Sequence, residues 1–239
     1  CCVGRLDKRG GEGGVSFEDF RVVIHEILFM EEAEADLEAE KVMSLSPLFY
    51  DRSGADVSLG SSPTAKFATL GASSYLDSPE DYVSRAAETN PVIDSEFQQL
   101  LAAVKKSLGV IFDREIIDLE GAGRIGFHIF DDRANNEEAQ WHLDMPYENA
   151  GIVWPEPPTD PFSFTLPLRL PRGVGGLDFQ EEDGAEKYYP YTVGNLYLSD
   201  GLFPHRIANP IRIMEGENRI TLQGHGVFSG VSDAAFVYF

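Results

Sequence analysis

Short segments with strand character fill the second half of the chain, and this pattern constrains the fold more than any other feature. After Gly109, runs rich in β-branched and aromatic residues are separated by Gly, Pro, Asp and Asn, which favour turns. The predicted strands are Arg124–Phe130, Phe162–Leu170, Gly176–Gln180, Tyr188–Val193, Leu196–Leu198, Arg219–Leu222 and Phe236–Phe239. Many short strands at this spacing are typical of a sandwich or a barrel. We therefore predict a mainly β fold with flanking helices.

Helical patterns dominate the first half of the chain. From about Ser16 to Met43, apolar residues recur at helical spacing, and the later part of this segment is rich in Glu and Ala. Ser78 is predicted to cap a helix that begins at Pro79. A second helix is predicted from Ser95 to Leu108, closed by Gly109. The predicted parts are an N-terminal helical segment over 1–45, a linker or irregular stretch over 46–65, and a β-rich domain with leading helices over 66–239.

The chain is strongly acidic, with 19 basic and 40 acidic residues among 239 and a formal net charge of -21. A surface of this charge repels phosphate backbones, so nucleic-acid binding is not expected. No apolar run approaches the roughly 20 residues that span a membrane, and no secretory signal pattern is present. The expected partner is a small-molecule or peptidyl substrate, and the oligomeric state is left open.

Cysteine is scarce, and its two copies, Cys1 and Cys2, are neighbours at the start of the sequence. Neighbouring cysteines rarely pair with each other, so a disulfide framework is excluded and an intracellular, reducing compartment is favoured. Any metal site must therefore use histidine and carboxylate ligands. Because the sequence begins with Cys rather than Met, we expect that the natural chain starts earlier.

His142 and Asp144 are the first candidate metal ligands. On a strand, residues two apart point to the same face, so both side chains can face a barrel interior while Trp141 and Leu143 face away. An isolated His-x-Asp pair occurs often by chance. His205 follows a hydrophobic strand and a turn, and by itself is more often a surface or core histidine. Together, two imidazoles and one carboxylate occupy one face of an iron(II) ion and leave up to three positions open.

Arg219 and Thr221 form a second candidate group, because residues two apart share a strand face. A guanidinium binds a carboxylate through two parallel hydrogen bonds, and a nearby hydroxyl can add a third. The alternative is a surface arginine on an edge strand.

The ordered set of His142, Asp144, His205, Arg219 and Thr221 in a β-rich region resembles the 2-oxoglutarate/iron(II)-dependent dioxygenase family. Further stretches similar to the family are Phe164–Leu170, Gly175–Phe179 and Tyr191–Leu198. The resemblance covers roughly residues 100–230. It implies a double-stranded β-helix, a jelly-roll or cupin-like core, with the site in its mouth and with helices preceding it.

The resemblance also implies roles for these residues. His142, Asp144 and His205 are expected to bind iron(II), while Arg219, assisted by Thr221, is expected to bind the far carboxylate of 2-oxoglutarate. The implied activity is that of an oxidoreductase, usually a hydroxylase, that uses iron(II), 2-oxoglutarate and dioxygen. Decarboxylation of the co-substrate is coupled to oxidation of a substrate C–H bond.

Two departures from the family pattern affect the co-substrate pocket. The interval between His205 and Arg219 is a few residues longer than usual, which we interpret as an elongated hairpin. No tyrosine occupies the strand before His142, where many relatives place a second co-substrate contact. His128 or Arg124, both on one face of the first predicted strand, is expected to substitute.

Candidate substrate contacts follow the first two ligands in the chain. Tyr147 and Trp154 lie in this stretch, for which the alternative is an ordinary surface loop. His225 lies on the same strand face as Arg219. It is expected to contact the substrate or to contact the metal ligands without binding the metal itself.

The segment Asp7–Phe20 resembles the end of an EF-hand calcium loop that runs into its exit helix, with Gly13 at the turn and Asp19 at the bidentate position. Loop positions one and three would be Lys8 and Gly10, which are poor ligands. We interpret the segment as a degenerate remnant that is a candidate for calcium. The alternative is a Gly-rich lead into a capped helix.

Two other functions compete with the oxygenase. The first is a cupin-like metalloenzyme that does not use 2-oxoglutarate and has no obvious use for Arg219. The second is a non-catalytic calcium-responsive or interaction protein with a decayed barrel, in which His142, Asp144 and His205 would fail to converge.

Overall fold

The computed structural model describes residues 4–5, 24–52, 67–135, 139, 141–144, 152–172, 175–181, 183–208 and 212–239. The helices in this part of the chain are α1 (Glu32–Ser44), α2 (Pro79–Glu96) and α3 (Gln98–Phe112). The strands are β1 (Gly4–Arg5), β2 (His25–Leu28), β3 (Tyr50–Asp51), β4 (Phe67–Leu70), β5 (Glu115–Asp118), β6 (Gly126–Phe130), β7 (Pro158–Arg169), β8 (Gly176–Gln180), β9 (Glu186–Pro190), β10 (Asn195–Ser199), β11 (His205–Ile207), β12 (Arg219–Ser229) and β13 (Ala234–Tyr238).

The strands form a large and a small sheet. The large sheet has the order β1-β2-β10-β7-β12-β6-β4-β3, with β13 joined to β12 and β5 joined to β13. The small sheet has the order β11-β8-β9, and a bridge between His142 and His205 adds a fourth segment beside β11. From β6 to β12 the chain passes repeatedly from one sheet to the other, with the β8–β9 hairpin within the small sheet. This alternation is that of a double-stranded β-helix, so the predicted mainly β fold is confirmed.

The two faces of the large sheet have different chemistry. On β12, Ile220 and Leu222 are buried in a core that includes Leu101 and Val104 of α3. Because side chains alternate along a strand, Arg219 and the residues in step with it point to the opposite, inner face. A slip of one residue would exchange the faces, so this apolar packing also fixes which polar side chains face inward.

Helix α2 begins as expected. The Ser78 hydroxyl accepts a hydrogen bond from Asp81 N at 3.2 Å, and Pro79 occupies the first turn. The predicted end of the next helix at Gly109 is wrong, because α3 continues to Phe112 and ends at Asp113 in the left-handed region. A Cβ at Gly109 would lie 3.0 Å from the Arg114 carbonyl oxygen, so close approach of the backbone is what this glycine permits. None of the described helices is long and apolar enough to cross a membrane.

The predicted N-terminal helix is only partly present. Residues His25–Leu28 form strand β2, which pairs antiparallel with β10, and the helix α1 starts at Glu32. Alternate burial, with His25 and Ile27 inside and Leu28 outside, fits the strand. Pairing with β10 depends on residues far along the chain, so the local helical spacing did not decide the outcome.

Several predictions for the N-terminal part lie outside the described residues. These include the EF-hand-like segment Asp7–Phe20 and positions 53–65 of the predicted linker. Within the rest of that linker, Ser46–Leu48 forms a 3-10 helix and β3 follows. The domain boundaries remain predictions.

Strand β12 extends past its predicted end at Leu222 to Ser229. Gly224 and Gly226 look like strand breakers in the sequence. In the structure a Cβ at these positions would lie 2.4 Å and 2.2 Å from the ring atoms of Phe164 and Phe162, respectively. Because these glycines have no side chains, the two aromatic rings can pack directly against the backbone of β12. The strand can therefore continue past Leu222 and include His225.

Candidate metal and carboxylate site

The three predicted metal ligands converge at the end of the small sheet. His142 and His205 exchange two backbone hydrogen bonds of 3.0 Å each, and Asp144 N donates to Gly201 O at 2.8 Å. One ligand atom from each side chain lies within 4.8 Å of the others. His205 Nε2 is 3.4 Å from Asp144 Oδ2, and His142 Nε2 is 3.9 Å from Asp144 Oδ1. The predicted convergence is thus present, although His142 makes a single bridge instead of lying in a strand with Asp144.

Backbone contacts orient His205 for metal binding. Its Nδ1 lies 2.9 Å from the Phe203 carbonyl oxygen, which can only accept, so Nδ1 carries the proton. The lone pair of Nε2 is then available on the side of Asp144. A hydrogen bond of this kind fixes the tautomer and ring direction of histidines that bind metals.

Gly201 makes room for the Asp144 carboxylate. Its φ is +67°, and a Cβ there would lie 2.7 Å from Asp144 Cβ and 2.9 Å from Ser163 Oγ. Both the turn and the close approach therefore require glycine at this position.

Electrostatics support a charged carboxylate at the site. Burial would raise the pKa of the Asp144 carboxyl, but the neighbouring imidazoles, above all that of His205, hold this pKa well below its usual range. Burial would lower the pKa of the His205 imidazole, but the Asp144 carboxylate raises that pKa. The His142 side chain is 39% exposed, so the cluster is open on that side. Two imidazoles and one carboxylate with an open side fit an iron(II) centre.

Arg219 lies on the inner face of the large sheet and is 5% exposed. Among the residues that the structure describes, no acidic side chain pairs with it and its Nε has no hydrogen-bond partner. The Thr221 hydroxyl is buried and equally without a partner there. Burial lowers the pKa of the Arg219 guanidinium. A buried cation without a counter-ion is costly, so these two side chains fit a bound carboxylate.

His128 is brought to this pocket, as predicted, but Arg124 is not. His128 pairs with Thr221 across β6 and β12, and its Nε2 hydrogen-bonds the Tyr75 hydroxyl. Burial, followed by the charge of Arg219, holds the pKa of His128 well below its usual value. Strand β6 begins only at Gly126, so the predicted alternation does not reach Arg124.

Arg124 instead lies against helix α2. Its Nε donates to Asp94 Oδ1 at 2.9 Å, and it lies 3.9 Å from Asp118 Oδ2. Arg124 is therefore a surface ion-pair residue, and its predicted role in binding the co-substrate is wrong.

The predicted substrate contacts have different environments. His225 is 1% exposed, its Nδ1 lies 3.0 Å from Ser163 Oγ, and its Nε2 has no partner within the described ranges. Burial lowers the pKa of His225. The Trp154 ring packs 5.5 Å from that of Tyr238, which lies 6.2 Å from His225. Tyr147 lies outside the described residues.

Two aromatic residues at the Arg219 pocket were not predicted. The Arg219 guanidinium carbon lies 5.4 Å from the centre of the Phe130 ring and 6.0 Å from that of Tyr191. Burial raises the pKa of Tyr191 to about 12. Tyr191 follows β9 and has no sequence spacing that relates it to Arg219, so only the strand order brings the two together.

No protein-family model matches the chain, and no curated protein matches it. Among solved structures, the fold is similar to an oxidoreductase of the 2OG-Fe(II) oxygenase family from Burkholderia pseudomallei, with 12% identity, coverage of 98% of both chains and a TM-score of 0.47. It is similar to a dioxygenase for auxin oxidation from Arabidopsis thaliana in its 2-oxoglutarate complex, with 13% identity, coverage of 97% of this chain and 95% of that chain, and a TM-score of 0.43. It is similar to a Pseudomonas putida prolyl-4-hydroxylase, with 15% identity, coverage of 86% and 91%, and a TM-score of 0.41.

Proposed function

We propose that this protein is a non-haem iron(II), 2-oxoglutarate-dependent dioxygenase that couples decarboxylation of the co-substrate to oxidation of a substrate C–H bond, with hydroxylation as the outcome. The observation that carries the proposal is the buried Arg219, which has no acidic partner in the described part of the chain. It lies in the same β-helix as a His-Asp-His cluster. A pocket that offers both a metal and a separate cation suits a ligand with a chelating end and a distal carboxylate.

The same observations weigh against the two rivals. A cupin-like enzyme that does not bind 2-oxoglutarate has no use for a buried Arg219 and Thr221 whose Nε and hydroxyl lack partners among the described residues. A decayed, non-catalytic barrel has no reason to keep three ligand atoms within 4.8 Å of one another, or to hold His205 in the tautomer that frees Nε2.

In this proposal His142, Asp144 and His205 hold iron(II), which supplies the oxidising chemistry when it is bound with 2-oxoglutarate and dioxygen. The residues of the chain position and enclose the reactants. Arg219 donates to the distal carboxylate of the co-substrate, and Thr221 adds a hydrogen bond. Burial of both side chains excludes water, which strengthens these bonds.

His225 is placed for the other substrate. It follows Arg219 by six residues on β12, so their backbones are about 20 Å apart at the usual rise of a strand. The buried Nε2 of His225 has no partner within the described residues, so it can offer one hydrogen bond to a polar group of the small-molecule or peptidyl substrate.

Anaerobic reconstitution with iron(II), followed by optical titration with 2-oxoglutarate, tests the proposal. A metal-to-ligand charge-transfer band should appear, because the keto acid chelates the metal through positions that the protein leaves open. His205→Ala removes a ligand and should abolish the band. Its absence in the wild type, or its persistence at full strength in His205→Ala, would contradict the proposal.

A companion variant separates metal binding from co-substrate binding. Arg219→Leu should weaken 2-oxoglutarate binding about 100-fold, the scale of losing one partner of a buried ion pair, and leave the iron content nearly unchanged. Arg219→Lys keeps the charge without the planar fork, so its affinity for 2-oxoglutarate should lie between those of the wild type and Arg219→Leu. Equal loss of iron and co-substrate in Arg219→Leu would point to a structural role for Arg219.

A further inference from the structure

We infer that Tyr191 is a positioning residue for Arg219, and that Tyr197 and Glu26 hold Tyr191 in place. The N-terminal strand β2, which carries Glu26, would then contribute to recognition of the distal carboxylate. This inference rests on the proposed function and deepens it, because it concerns how the same pocket distinguishes a dicarboxylate from a monocarboxylate.

The surroundings of Arg219 show how its guanidinium is held. The rings of Phe130 and Tyr191 lie 5.4 Å and 6.0 Å from the guanidinium carbon. The negative face of an aromatic ring attracts a cation, and the attraction grows when water is excluded. The rings partly offset the cost of burying the cation, and neither carries a carboxylate that would compete with an acidic ligand for its N–H groups. The fork therefore stays in place and remains available to a ligand.

Tyr191 is fixed from two sides. The Thr165 side chain on β7 lies beside the Tyr191 hydroxyl and, against the larger effect of burial, lowers the pKa of Tyr191. The Tyr191 ring is stacked on that of Tyr197, with centres 4.3 Å apart and planes inclined by 26°. Tyr197 and Thr165 are directly opposite each other on β10 and β7, so the large sheet sets the position of both supports.

Tyr197 is held in turn by the N-terminal strand. Its hydroxyl donates to Glu26 Oε1 at 3.0 Å and accepts from Thr192 N at 2.6 Å. Glu26 also accepts from Asn195 Nδ2 at 2.6 Å and from the Tyr189 hydroxyl at 3.2 Å. One half-buried carboxylate thus gathers three donors around the stack, and it reaches this place only because β2 pairs with β10.

Two probes separate the distal carboxylate from iron chelation. 2-Oxoglutarate and 2-oxopentanoate have the same chain length and the same chelating end, but only the first carries the carboxylate for Arg219. Each is titrated anaerobically into the iron(II)-loaded protein, and its dissociation constant is read from the charge-transfer band. The quantity of interest is the ratio of the two constants, because a general loosening of the protein changes both alike.

We expect the wild type to prefer 2-oxoglutarate strongly. Tyr191→Leu removes the ring and should reduce this preference about tenfold through weaker binding of 2-oxoglutarate alone. Tyr191→Phe keeps the ring and should reduce it about twofold to threefold, because only the polar contact of the hydroxyl with Thr165 is lost. Glu26→Gln should shift the ratio in the same direction by a similar small factor. Tyr188→Leu is the matched control, since Tyr188 is half exposed on β9 and donates to Gly175 O; it should leave the ratio unchanged.

The outcomes are distinguishable. A wild type that gives no band with either acid rejects the proposed function and this inference with it. A preference that survives in Tyr191→Leu, or equal weakening of both acids, rejects the inference and leaves the proposed function standing. If Tyr191→Leu does not fold, the ratios for Tyr191→Phe and Glu26→Gln decide, and unchanged ratios in both overturn the inference.

Discussion

Two arginines are buried in neighbouring parts of this fold, and their partners differ. Arg52 and Arg219 are each 5% exposed. Arg52 pairs with Asp77 and donates from Nε to Thr69 Oγ1 at 2.9 Å, and Arg85 pairs with the same Asp77 carboxylate. Arg219 has no acidic partner within the described residues. Within the described part of the chain, one buried arginine therefore has a carboxylate partner and the other has none.

The two regions are otherwise closely related. Thr69 and Thr221 flank His128 on adjacent strands, the first across β4 and β6 and the second across β6 and β12. Both hydroxyls are buried, and among the residues whose positions are described only that of Thr69 has a partner. A buried cation with a built-in carboxylate belongs to the framework of the fold. A buried cation that lacks such a carboxylate, and that lies near a hydroxyl without a hydrogen-bond partner, indicates a binding place for a ligand.

The largest effect is expected at Asp77. Asp77→Asn leaves two arginines without their charge partner and should lower the free energy of unfolding by about 3–5 kcal/mol. Asp94→Asn is a matched control, because it removes the same charge from the exposed pair with Arg124, and it should change the free energy by less than about 1 kcal/mol. Urea unfolding measures both. Similar values for the two variants would break the distinction between the framework pair and a surface pair.

Replacing each buried arginine with leucine in the ligand-free protein compares what the two contribute to stability. Arg52→Leu should lower the free energy of unfolding by about 3 kcal/mol, because it leaves a buried carboxylate with fewer partners. Arg219→Leu removes a buried cation that has no acidic partner in the described ranges, so stability should be unchanged or should rise by about 1–2 kcal/mol. Urea unfolding without iron or co-substrate is the measurement. Equal destabilisation by both changes would make Arg219 a framework residue.

The smallest effects are expected at the threonines. Thr69→Val removes the acceptor of a buried hydrogen bond and should lower the free energy of unfolding by about 1–2 kcal/mol. Thr221→Val should cost little stability but should weaken 2-oxoglutarate binding about fivefold, the value of one hydrogen bond. Unfolding curves and titration of the charge-transfer band on both variants give the two readings. A loss of stability in Thr221→Val together with weaker 2-oxoglutarate binding in Thr69→Val would contradict this assignment.

Local patterns in the sequence were sufficient for the features that depend on alternation along a strand. The shared strand face of Arg219 and Thr221, the residue types of the His-Asp-His cluster and the cap at Ser78 are of this kind. Parity failed at Arg124, because β6 starts two residues later than its pattern suggests and Asp94 provides a nearer charge. Such a boundary depends on packing against α2, which no local pattern contains.

Features that depend on distant strand pairing were not accessible from the sequence. Strand β2 has helical spacing but pairs with β10, whose partner residues are far along the chain. Tyr191 reaches Arg219 only because the strand order brings β9 and β12 to one pocket. The pairing of Arg52 with Asp77 likewise joins two segments on either side of β4. In each case the neighbour that matters is set by the sheet and not by the adjacent residues.

The double backbone hydrogen bond between His142 and His205 has a consequence for how the protein matures. The two imidazoles stand side by side only after segments that are distant in sequence have paired, so an unfolded chain offers no preassembled chelate. If the cluster holds iron as proposed, closure of the β-helix would create the site, and the ion would enter from the side where the His142 side chain is 39% exposed.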